Sequence, residues 1–185
     1  MRNAISRVNL LAVVAGALIA ASFKYPWWSL AFTGGSGTAR ADIYPYIIAG
    51  ELGELLGYRR TSQMAIMVPV LIACVVLCLL AGLLRGKAGR ITLAVVSLVV
   101  AGVLYAFLRR IRIIARGYGV PLEGHAFGHI DIAVVEMITS FGRGIYLLGA
   151  GGVVALLASL LHPWVRIPAP RPRAGRGQAR TPSGS

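Results

Sequence analysis

Two long apolar segments, 63–84 and 91–108, flank a short basic turn, and this hairpin constrains the fold more than any other feature. The turn contains Arg85, Lys87 and Arg90. Each arm has about 20 residues, the length that an α-helix needs to cross ~30 Å of hydrocarbon. Because three cations are unfavourable inside a bilayer, the sequence predicts two transmembrane helices joined at the membrane surface.

The composition and charge also indicate a membrane protein. The chain has 57% hydrophobic residues and a mean hydropathy of +0.73. Its net charge is +13, and the cations lie in short clusters beside the apolar segments, where membrane proteins carry topology signals and contact anionic lipids. This pattern disfavours nucleic acid as a partner and predicts contacts with membrane lipids, including anionic lipids.

Two further apolar segments, 6–23 and 145–161, bring the number of predicted spans to four. The first follows a basic lead, so residues 1–22 also fit a cleavable signal peptide. We favour a retained span because the segment continues into Trp27 and Trp28, an aromatic pair typical of a membrane interface.

The first long connection is expected to contain a flexible link and an amphipathic helix. Its glycine-rich stretch, 33–38, lacks the lysine of a phosphate-binding loop and is interpreted as a link. Residues 42–58 place apolar side chains on one side of a helix and Glu51 and Glu54 on another. We interpret the carboxylates as a solvated face rather than a catalytic pair.

In the second long connection, the third helix is expected to continue past residue 108, and a second amphipathic helix is expected over residues 130–141. If this helix folds back, Asp131 and Glu136 can reach the arginines of the third helix and form a capped outer lobe. The residues predicted for outer-lobe or partner contacts are Trp27, Trp28, Arg109, Arg112, Arg116, Asp131 and Glu136.

Small residues recur at helical spacing on three predicted spans, where they allow neighbouring helices to approach closely. Cys74 and Cys78 also share a helix face and are expected to pack rather than bind metal. The predicted helix-packing positions are Ala12, Gly16, Ala20, Ser97, Ala101, Gly151 and Ala155.

His125 and His129 form the nearest approach to a metal-ligand cluster. Their spacing would place both imidazoles on one face of a helix, as in helical zinc sites. Gly124 and Gly128 weaken such a helix. We therefore predict a loop or packing role and keep the pair as weak metal candidates; no cofactor is expected.

These patterns predict an all-α integral membrane protein: a four-transmembrane-helix bundle with extramembrane amphipathic helices. One membrane domain covers residues 1–165, and a basic tail rich in proline and glycine, 166–185, is expected to be disordered. All six carboxylates lie in the two long connections. Together with the basic lead, this favours a multi-pass cell-membrane protein with cytoplasmic N- and C-termini.

A four-span chain with a longer first outer segment, a tight inner turn, an extended third helix and a basic tail resembles the claudin-like tetraspan architecture. The resemblance is one of topology. Trp27-Trp28-Ser29-Leu30 is similar to the start of that family's outer signature, whereas its Gly-Leu-Trp motif and outer cysteines are absent here. The resemblance implies lateral assembly in the membrane and contacts through the outer segments.

We expect a non-enzymatic protein, namely a structural, assembly or accessory subunit that forms homo- or hetero-oligomers. One rival is an oligomeric channel or transporter, and another is the membrane anchor subunit of a respiratory or other enzyme complex. The two spans of the hairpin lack ionisable residues, which disfavours a proton-coupled transporter.

Overall fold

The computed structural model describes residues 9–34, 37–55, 61–84, 87–117, 119–130 and 133–161. This part of the chain contains four longer helices, one short helix and five strands. A 3₁₀ turn, Ser22–Lys24, follows the first helix. In chain order the elements are α1 Leu10–Ala21, β1 Trp28–Gly34, β2 Gly37–Ile43, β3 Ile48–Ala49, α2 Glu51–Leu55, α3 Ser62–Leu83, α4 Lys87–Gly117, β4 Gly124–Ile130, β5 Ala133–Phe141 and α5 Arg143–Leu160.

Three helices, α3, α4 and α5, are long and apolar enough to cross a membrane. The helical hairpin predicted from the sequence is therefore present, and the predicted extension of the third helix is confirmed because α4 continues to Gly117. Pro69 lies inside α3, where it removes the N–H that would bond to the carbonyl four residues earlier. The apolar helix Leu10–Lys24 is shorter than the three candidate spans.

The four longer helices pack in a closed ring, in which α1 contacts α3 and α5, and α4 contacts the same two helices. Leu71, Leu93, Val96 and Leu148 are fully buried between them. Glycine allows the closest approach: a Cβ at Gly151 would lie 2.8 Å from Cγ1 of Ile19. Small residues thus set the distance between α1 and α5.

The prediction of an all-α protein is wrong, because both long connections contribute strands to one antiparallel sheet. Its strand order is β3-β2-β1-β5-β4. The central pairing joins the two connections, with Trp28 opposite Phe141 and Thr33 opposite Glu136. The protein is therefore a mixed α/β structure in which a five-stranded sheet adjoins the helices.

Both predicted amphipathic helices are also wrong. The described part of the segment 42–58, residues 42–55, contains the end of β2, the short β3 and one short helix, α2. Residues 130–141 lie almost entirely in the β4–β5 hairpin. The backbone N–H and C=O groups of β5 bond to β1 on one side and β4 on the other, so strand pairing satisfies them better than an isolated amphipathic helix would.

The pleat gives the sheet two different faces. One face carries Trp28, Leu30, Ile43 and Phe141, which pack against the helical core. The pairing register places Ser29, Arg40, Asp42, His125 and Glu136 on the opposite face. The sheet therefore covers the end of the helix ring with its apolar face and presents a polar outer face.

Candidate functional site

The junction between sheet and helices is built on two tryptophans. Trp27 is fully buried and Trp28 is 2% exposed. The Trp27 indole N–H donates to the Ser22 carbonyl at 3.2 Å, and the Trp28 indole N–H donates to the Leu122 carbonyl at 2.9 Å. Both side chains thus make internal contacts at the junction. We define the outer lobe as the sheet, residues 28–49 and 124–141, with the adjoining end of α4.

Glycines connect the sheet to the last helix. The Gly142 N–H donates to the Trp27 carbonyl at 3.1 Å, and the Gly144 N–H donates to the Pro26 carbonyl at 3.0 Å. A Cβ at Gly144 would lie 2.5 Å from both Cδ1 of Trp27 and the Tyr25 carbonyl oxygen. Residues 142–144 therefore make a close backbone contact that fixes α5 beneath β1.

The outer face of the sheet carries two polar clusters, one part-buried around Asp42 and one exposed at His125. In one, Asp42 accepts hydrogen bonds from the Ser29 hydroxyl at 2.6 Å and from Arg40 Nε at 2.9 Å. In the other, His125 Nδ1 lies 2.9 Å from a Glu136 carboxylate oxygen. Exposed pairs of this kind contribute about 0–1 kcal/mol each, so they order the surface more than they stabilise it.

Phe127 lies on the edge strand β4, on the same face of the sheet as His125. Among the described residues β4 pairs only with β5, and the Phe127 side chain is 71% exposed. An exposed aromatic residue on an edge strand combines a large apolar surface with backbone groups available for pairing. Such a strand is well suited to contact another protein.

The arginines at the outer end of α4 are exposed. No ion pair joins them to any residue in the described part of the chain. Glu136, one predicted partner, instead contacts His125 in the sheet. Asp131, the other, lies outside the described residues. The four arginines are Arg109, Arg110, Arg112 and Arg116.

The predicted helix-packing residues occupy different environments. Ala12, Gly16, Gly151 and Ala155 are buried, Ser97 is half-buried, and Ala20 and Ala101 are exposed on the outside of the ring. Cys74 and Cys78 are buried free cysteines, and the Cβ of Cys78 would lie 3.3 Å from a Cβ at Gly16. Gly16 and Gly151 thus lie where neighbouring helices approach closely.

His125 and His129 both belong to β4. Four residues along a strand span ~13 Å, compared with ~6 Å along a helix, so the spacing does not bring the two residues together as the helical reading assumed. The side chain of His129 is outside the described part of the structure. Within that part, no group of three histidine, cysteine or carboxylate side chains is arranged to hold a metal ion.

A polar cluster at the opposite end of the helix ring was missed from the sequence. Asn9 caps α1 and donates from Nδ2 to the Ala158 carbonyl at 3.4 Å, and its backbone N–H donates to the Gly82 carbonyl at 3.0 Å. Nearby, the Ser159 hydroxyl donates to the Arg90 carbonyl at 2.8 Å. Asn9 stands immediately before an apolar run, which is a helix N-cap signal.

No protein-family model and no curated protein matches this chain. The geometry that bears on function consists of an apolar helix ring, an outer sheet fixed to it by buried tryptophans, and exposed polar and aromatic groups on that sheet. This arrangement can bind a partner surface.

Proposed function

We propose that this protein is a non-enzymatic, multi-pass membrane protein that acts as a structural, assembly or accessory subunit. Its helices pack laterally with other membrane proteins, and its outer lobe makes the specific contacts. The observation that carries the proposal is the exposed edge strand β4 with Phe127 at its surface. Natural sheets usually cover or charge such an edge unless it has a partner.

The polar side chains buried in the protein help to distinguish this role from the channel or transporter alternative. Among the described residues, the buried polar side chains are asparagine, serine and threonine, and each buried polar atom has a hydrogen-bond partner. Proton and ion pathways usually need ionisable side chains in the bundle interior. Their absence from the described core favours the structural role over transport through a single copy of the chain.

For the placement in the membrane, we propose four spans with both termini in the cytoplasm. In this arrangement α1 is the first span. The sheet then lies on the outer side, and the basic turn near Lys87 lies inside, in keeping with the positive-inside preference. The exposed apolar surface of α3, α4 and α5 would contact lipid or neighbouring helices.

A claudin-like relationship remains part of the proposal at the level of architecture. An outer sheet assembled from both long connections and anchored by a tryptophan at its start supports this view. The outer sheet here forms without outer cysteines. Lateral assembly in the membrane is what this resemblance would imply.

Purification of the tagged full-length protein in mild detergent, followed by mass spectrometry, tests the proposal. We expect a membrane protein to copurify at a fixed ratio and to be lost in Phe127→Ser. Thr38→Ala is the matched control, because Thr38 is also exposed but lies at the other end of the sheet. A monodisperse particle without a partner that conducts ions in liposomes would favour the channel alternative, and a copurifying catalytic subunit would favour the anchor role.

A further inference from the structure

A cleft of about 70 Å³ lies where α3 and α4 meet the outer lobe. Its walls come from the turn after β2, the first turns of α3 and the outer part of α4. Met64 and Met67 of α3 and Ile111 and Ile114 of α4 make the lining mainly apolar. Methionine side chains adapt readily to a flexible apolar ligand.

The cleft lies at the level where the apolar helices end. Helix α3 begins at Ser62, and the apolar part of α4 ends at Leu108, immediately before the first of the arginines. In the proposed membrane arrangement this is the boundary between the outer lipid tails and their headgroups. The apolar half of the cleft therefore faces the tails, and its polar rim faces the headgroups.

One arginine belongs to the cleft, and the other three do not. Arg110 lines the cleft together with Phe107 and Ile114, because residues three and four apart share one helix face. At about 100° per residue, Arg112 lies on the opposite face of α4, and Arg109 and Arg116 lie about 100° and about 120° around the helix from Arg110. Arg110 has no ion pair with any residue in the described part of the chain, so its guanidinium is available to an anion.

From this combination we infer that the cleft binds an anionic phospholipid, with one acyl chain between Met67 and Phe107 and its phosphate on Arg110. The charge is complementary, because a guanidinium can donate two parallel hydrogen bonds to a phosphate. The apolar lining provides contact for methylene groups, which gain free energy on leaving water. The inference rests on the proposed membrane insertion but not on the proposed assembly role.

Native mass spectrometry of the full-length protein in detergent tests this inference. The probes are phosphatidylglycerol and phosphatidylcholine with identical acyl chains. We expect stronger binding of phosphatidylglycerol and a loss of about tenfold in Arg110→Gln, as for one charge-assisted contact. Arg112→Gln, on the opposite face of α4, should bind within about twofold of the unchanged protein, because an exposed charge elsewhere contributes little.

Two further measurements distinguish this inference from general charge attraction and from the binding of free phosphate. Met67→Trp fills the apolar part of the cleft on the tail side of Arg110 and should weaken both lipids, with the unfolding temperature measured to exclude misfolding. Inorganic phosphate at millimolar concentration should leave phosphatidylglycerol bound. Equal losses in Arg110→Gln and Arg112→Gln would indicate general charge attraction and overturn the inference, as would full displacement by inorganic phosphate. Lipid binding is measured on the purified protein in detergent, so the result does not depend on whether a partner protein copurifies.

Discussion

Trp27 meets Phe107 edge to face, with ring centroids 5.0 Å apart and ring planes at 83°. Trp27 lies immediately before the first strand, and Phe107 lies in the long helix α4. Edge-to-face pairs of this kind add about 0.5–1.5 kcal/mol to the burial of their rings. This contact joins the sheet to the helices at the point where α1 also ends.

We expect Phe107→Ala to lower the free energy of unfolding by about 3–5 kcal/mol, the usual cost of removing a buried aromatic ring. Phe127→Ala should change it by less than about 0.5 kcal/mol, because that ring is exposed. Thermal or chemical unfolding in detergent measures both. Equal effects would mean that Phe107 is not part of the junction.

The glycine at the start of α5 is expected to be intolerant of any side chain. In Gly144→Ala the new methyl group would meet Trp27 and two backbone carbonyls. We therefore expect the free energy of unfolding, measured in detergent, to fall by about 1–3 kcal/mol.

Gly102→Ala is the control, since a Cβ there has no atom within 4 Å. It should leave stability unchanged or raise it by up to about 1 kcal/mol through the better helix propensity of alanine. An equal or larger loss in the control would contradict the proposed close contact at Gly144.

The helices could be predicted from the sequence because one strong signal determines them. Long uninterrupted apolar segments satisfy their backbone only as helices when water is absent, so the arms of the hairpin were recognised with bounds close to Ser62–Leu83. The Arg-rich extension of α4 was also recognised, because its apolar and basic residues alternate with helical spacing.

The sheet was missed because its signals are weak and partly ambiguous. In 133–141, Val134, Met137, Ile138 and Phe141 fit a helical stripe, although the Ala-Val-Val and Ile-Thr segments favour a strand. The Gly35-Ser36 pair between two short alternating segments is a hairpin signal, and it was interpreted as a flexible link.

The candidate site could be predicted only in part. The two tryptophans and the α4 arginines were identified from the sequence, but their environments depend on strand pairings between residues more than 90 positions apart. Phe127 and Arg110 gained their importance from the position of β4 at the sheet edge and from the cleft beside α3. Local patterns do not contain that information.

Asn9 is expected to stabilise the inner end of the helix ring. Asn9→Ala removes the N-cap of α1 and the hydrogen bond to the Ala158 carbonyl. We therefore expect the free energy of unfolding to fall by about 1–2 kcal/mol.

Asn9→Ser keeps an uncharged capping oxygen on a side chain too short to replace the hydrogen bond to Ala158, so it separates the two contributions in the same unfolding assay. Ser97→Ala, which alters a half-buried serine on α4, is the control and should have a smaller effect. An Asn9→Ala protein as stable as this control would contradict a structural role for the cap.

The most direct test of the proposed outer sheet introduces one new cysteine in each of three variants. Its reaction with a membrane-impermeant reagent is then measured in intact cells. Thr38→Cys lies in the first long connection, Glu123→Cys in the second and Ala88→Cys at the start of α4, and all three positions are exposed. The native cysteines are buried in α3, so Cys74 and Cys78 should contribute little labelling. We expect positions 38 and 123 to be labelled from outside and position 88 only after the membrane is opened. Labelling of positions 38 and 123 from opposite sides would contradict an outer sheet built from both connections.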